Sequence, residues 1–73
     1  MSPRLPTLKA DDILAILRKK GFSRVRQSGS HIVLKHSDGR RTTVPMHKGR
    51  DLGRGLLRQI MRDANLTVED LIQ

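Results

Sequence analysis

Hydrophobic positions change period twice along the chain. Between Asp11 and Lys20 the residues Ile13, Ile16 and Leu17 recur at i, i+3 and i+4, with Leu14 widening the stripe, which is the spacing of one helical face. Thr7 precedes this stripe as a candidate N-cap. Asp11 and Asp12 fall where the helix dipole favours negative charge, and Arg18, Lys19 and Lys20 where it favours positive charge. Gly21 ends the helix. Phe22, directly after it, is placed to fold back as the hydrophobic contact of a C-terminal cap and reads as core, not as a stacking ring.

From Arg24 the alternation becomes that of strands. Residues 24–28, 30–36 and 41–45 are each rich in β-branched or alternating positions, and Ser37, Asp38 and Gly39 supply the turn between the last two. In the second strand Ser30, Ile32, Leu34 and His36 point one way, and His31, Val33 and Lys35 the other. If helices cover the Ile32 and Leu34 face, His31 and Lys35 share the open one. After Pro45 comes a basic loop of His47, Lys48, Gly49 and Arg50. Beyond Gly53, a second helical stripe runs through Leu56, Leu57, Ile60, Met61 and Ala64, with Arg54, Arg58 and Arg62 at i+4 intervals on another face. That arginine row reads equally as a solubilising face or as a track for phosphates. Asn65 is a candidate left-handed terminator, and Thr67 with Asp70 resembles a capping box opening a last turn through Leu71 and Ile72.

The predicted order is helix, three strands, helix and a terminal helical turn. Two helices on one face of a three-stranded antiparallel sheet form a two-layer α+β domain, the arrangement of double-stranded RNA-binding domains. At 73 residues there is room for one domain, assigned to residues 7–73, preceded by an extended arm at residues 1–6 with prolines at 3 and 6.

Composition narrows the chemistry. The chain has no cysteine, which removes disulfide scaffolds, thiolate metal sites and cysteine nucleophiles. Its longest apolar run, Ile13 to Leu17, is far short of the ~20 residues that span a bilayer, so a soluble, cytoplasmic protein without membrane association is expected. Fifteen Lys and Arg against seven Asp and Glu give a net charge of +8, a density that favours a polyanionic partner. With no Trp, no Tyr and one Phe, stacking of single-stranded bases on surface aromatics is disfavoured, and recognition of shape and phosphate stays open.

Acid or base work near neutral pH falls first to His31, His36 or His47. His31 follows Gly29 and Ser30, where glycine permits close backbone approach and free amides suit an anion, and Arg26 and Lys35 are its cationic neighbours. A lone exposed strand histidine is more often merely solvated, His36 reads as a structural rim residue, and His47 sits with Lys48 and Arg50 in a loop suited to phosphate or simply to water. The histidines lack the i, i+4 helical spacing of zinc enzymes and no carboxylates cluster with them in sequence, so neither a metal nor a cofactor is expected.

The chain resembles the HicA toxin family, small ribonucleases of type II toxin–antitoxin systems. The resemblance rests on the helix from Asp12 to Lys20 followed by Gly21 and Phe22, on Gln27, and on the triplet Gly29, Ser30, His31. It continues through Asp38 and Gly39, Pro45, His47 and Lys48, and then Gly55, Leu57, Ile60, Ala64 and Leu66. It extends from Thr7 to Leu71. Asn65 stands where many relatives have glycine, and Met46 where a basic or polar residue is common. The resemblance implies cleavage of mRNA with His31 as the catalytic residue; the residues themselves point to a metal-independent reaction and to RNA contacts from Arg26, Gly29, Ser30, Lys35, His47, Lys48 and Arg50. It also implies a HicB-type antitoxin that covers the active site, with a monomer when free and a hetero-oligomer when inhibited. From the residues alone, a non-catalytic basic RNA-binding module and a dock for an acidic protein remain rival readings.

Overall fold

Why the chain folds as it does is clearest at the ends of its helices. The computed structural model describes residues 5–47 and 49–72. Helix α1 spans Ala10–Lys19, strands β1, β2 and β3 span Ser23–Ser28, His31–Lys35 and Arg41–Pro45, and helices α2 and α3 span Arg54–Ala64 and Val68–Leu71. The N-cap of α1 is Lys9, not Thr7. Leu8 and Lys9 are held extended against the segment before α2, through a bridge between Lys9 and Asp51 and a hydrogen bond from the Leu52 amide to the Leu8 carbonyl (2.7 Å). That pairing delays the helix start, and the Asp12 carboxylate accepts from the Lys9 amide (2.9 Å).

The end of α1 is a Schellman closure. The Phe22 amide donates to the Leu17 carbonyl (3.0 Å) and the Gly21 amide to Arg18 (3.1 Å), satisfying carbonyls that the helix leaves orphaned. Gly21 sits at φ +95°, and a Cβ there would lie 2.9 Å from His36 Nε2, so both conformation and space demand glycine. Phe22 is buried, as expected of core. Its ring meets His36 edge-on at 5.2 Å, and the Arg40 guanidinium lies 5.2 Å over it. Arg40 also donates to the Ala64 carbonyl and to Asp38 (2.7 Å), tying the β2–β3 turn to the end of α2.

The sheet is antiparallel in the order β1-β2-β3. Its covered face carries Ile32, Leu34 and Val44, which join Ile13, Leu17, Leu57 and Ile60 of α1 and α2 in one cluster, closed by Phe22, Leu66 and Leu71. Each such buried side chain contributes about 1.5–3 kcal/mol. Thr42, the buried polar residue of this face, donates to Asp63 on α2 (3.1 Å). The expected two-layer α+β arrangement, both helices on one face of three antiparallel strands, is therefore the observed one.

Helix α2 ends at Asn65 in the left-handed conformation (φ 56°, ψ 47°), and the Thr67 and Asp70 capping box opens α3 as read from the sequence. Lys20 clamps that box to the end of α1 through Asp70 (2.8 Å). Leu5 packs against the core cluster; residues 1–4 of the expected N-terminal arm lie outside the described residues. Among the described residues no helix is long and apolar enough to cross a membrane.

Candidate functional site

Register decides which side chains share the open face. In β2, Ile32 and Leu34 are buried under the helices while His31 and Lys35 are exposed on the other side. Val33, between them, is also buried yet stands outside the helix-covered cluster. Antiparallel partners project to the same face. Ser28 and Pro45 therefore flank His31, Arg26 and Thr43 flank Val33, and Ser23 and Arg41 flank Lys35. The result is a face with one imidazole at one end and the cations Arg26, Lys35 and Arg41 along it. Among the described residues none of these three cations has an ion-pair partner, so their charge is available to a ligand.

The turn that presents His31 is tight. Gly29 and Ser30 form the whole loop between the paired residues Ser28 and His31, with φ +58° at Gly29 and a negative φ at Ser30, the pattern of a II′ hairpin with glycine first. A Cβ on Gly29 would meet nothing within 4 Å. Its backbone angle calls for glycine. The amides of Gly29 and Ser30 have no acceptor among the described residues, while the Ser30 carbonyl accepts from Met46 and the Gly29 carbonyl from the Gln27 side chain (3.3 Å). These contacts fix the turn against the start of the 46–50 loop.

His31 also borders a shallow cleft of about 490 Å³ over the outer edge of β3, bounded by Arg41, Thr43 and Pro45 from the sheet and by Leu56, Gln59 and Asp63 from α2. Arg41 and Thr43 were not singled out by sequence. The signal existed, since a short β2–β3 turn pairs Lys35 with Arg41 and Val33 with Thr43.

The other expected contact residues fall elsewhere. His47 and Arg50 are exposed and line a groove with Arg24, Gln27, Ile32 and Met46; Arg24, Gln27 and Ile32 belong to the helix-side face by register. His47 and Arg50 thus lie on the side of the sheet away from His31, and Lys48 lies outside the described residues. His36 is the rim residue expected. Its Nδ1 accepts from the Asp38 amide (3.1 Å), and it packs on Gly21 and Phe22. The neighbouring Asp38 carboxyl is held below the usual carboxylate range, first by the Arg40 backbone amide. No group of three ligating side chains converges among the described residues.

A small α+β domain that presents one exposed imidazole on an uncovered, cation-lined sheet face has the charge to attract a polyanion. Comparison with known families makes the assignment specific: the model of the HicA toxin of bacterial toxin–antitoxin systems matches residues 10–66. The chain belongs to that family and is the toxin of a toxin–antitoxin pair. No curated protein matches it as a relative.

Proposed function

We propose that this toxin is an endoribonuclease that cuts mRNA without a metal, with His31 as its general base. The observation that carries the reading is the placement of His31, exposed at the free end of the uncovered sheet face, beside a turn with two amides unengaged among the described residues and in line with Arg26. The imidazole takes the proton of a ribose 2′-hydroxyl, and the 2′-oxygen attacks the adjacent phosphorus as the bond from phosphorus to the 5′-oxygen breaks. Arg26 and the Gly29 and Ser30 amides meet the charge that develops on the phosphoryl oxygens.

Lys35 is four residues along the strand, roughly 13 Å by strand rise, and serves a neighbouring phosphate. His47 faces the other side of the sheet, so water is left to protonate the departing 5′-oxygen. The products are a 2′,3′-cyclic phosphate and a 5′-hydroxyl. Family membership supports a HicB-type antitoxin as the partner, seated over the same face.

The test is incubation of purified protein with a long transcript in EDTA, followed by analysis of the new ends. Cleavage with cyclic phosphate termini, lost in His31→Ala and absent on DNA, is the expected result. An intact transcript of shifted mobility makes the protein a binding module, and cleavage by His31→Ala removes the histidine from the chemistry.

A further inference from the structure

Strand β1 is exposed along its whole length, on both faces. The helices cover β2 and β3 but leave the underside of β1 open, and there Arg24, His47 and Arg50 rim a groove of about 590 Å³ floored by Ile32 and Met46. No carboxylate lines it, and neither Arg24 nor Arg50 has an ion-pair partner among the described residues. Arg24 and Arg26 belong to one strand yet face opposite ways: the register shift between them makes Val25 a bulge residue, 56% exposed. Arg24 therefore pairs with Leu34 toward the groove, and Arg26 with Val33 toward the His31 face.

We infer that the groove beneath β1 is a second RNA-binding surface, and that one RNA strand passes from the His31 face around the β1 edge into it, its phosphates met by Arg26 on one side and by Arg24 and Arg50 on the other. This rests on the reading of the toxin as an RNA-cleaving protein. Cations on the rim suit phosphates, the apolar floor suits a ribose or base edge, and the exposed strand between the two surfaces carries no acidic residue to repel the chain. A single-stranded ligand is flexible enough to bend round one strand; a duplex is not, which selects single-stranded RNA for this path.

The experiment measures binding of a 24-nucleotide oligouridine across a salt series, using the His31→Ala protein so that the probe stays intact. Loss of two phosphate contacts in the Arg24→Ala, Arg50→Ala double variant is expected to lower the slope of log affinity against log salt by about 1.4. The control, Arg18→Ala with Lys19→Ala, removes the same charge from exposed α1 positions that share no residue with the groove. If the two double variants lose slope and affinity equally, only net charge is being read and the second surface does not exist. Because the measurement needs no cleavage, failure of the nuclease reading appears in the EDTA experiment and failure of the groove appears here.

Discussion

His31 and Lys35 share one face of β2 but not one reaction centre, since the buried Val33 stands between them and strand rise separates them by roughly 13 Å. Their substitutions therefore differ in kind. His31→Ala is expected to abolish cleavage and growth arrest while RNA still binds. Lys35→Ala is expected to weaken RNA binding and reduce its salt slope by about 0.7, the loss of one single-strand phosphate contact. Cleavage assays and fluorescence anisotropy on both variants check this. Equal loss of cleavage in both would place Lys35 at the reacting phosphate.

Gly21→Ala is expected to destabilise the fold by about 1–3 kcal/mol, from a strained backbone angle and a clash with the His36 ring. Urea denaturation measures it. Because the clash has one partner, His36→Ala in the same chain recovers part of the loss. Gly29→Ala carries the angular strain alone, about 1–2 kcal/mol, with no partner to relieve it.

Ile60 is fully buried between α2 and the sheet, so Ile60→Ala is expected to cost about 2–5 kcal/mol. Arg58, two residues earlier and exposed, is expected to stay within about 0.5 kcal/mol on truncation to alanine. Thermal melts of the two single variants provide the comparison.

Acid should loosen the junction of α1 and α3. The Lys20 ammonium, with the Thr67 amide, holds the Asp70 carboxyl down to about 2, against 3.8 for the free group. A depressed carboxylate stabilises the fold above its unfolded value and loses that contribution as pH falls toward its folded one. The advantage of wild type over Asp70→Asn in chemical denaturation should therefore be constant above pH ~5 and shrink steadily toward pH ~2. An advantage independent of pH would mean that the carboxylate charge contributes nothing.

Local signals in the sequence proved sufficient wherever local physics decides the structure. The α1 stripe, the Gly21 and Phe22 closure, Asn65 and the Thr67 capping box all depend on contacts within a few residues. The start of α1 escaped because Leu8 and Lys9 are captured by a segment more than forty positions away. The alternation of β2 told which residues join His31, and pairing then adds Arg41 and Thr43. What alternation in single strands does not reveal is how far the helices extend beneath the sheet. That extent leaves β1 uncovered and sends His47 and Arg50 to the opposite side from the imidazole they were grouped with.

The edge-on contact of Phe22 with His36 has a spectroscopic consequence. Phe22 is the one Phe, Tyr or Trp of the chain, so its ring current displaces the proton resonances of the imidazole packed on it and leaves those of the exposed His31 and His47 near their free positions. His36 is thus told apart from the other two histidines in a proton spectrum, and a His47→Ala variant leaves His31 as the one unshifted imidazole, to be followed before and after an RNA strand is added.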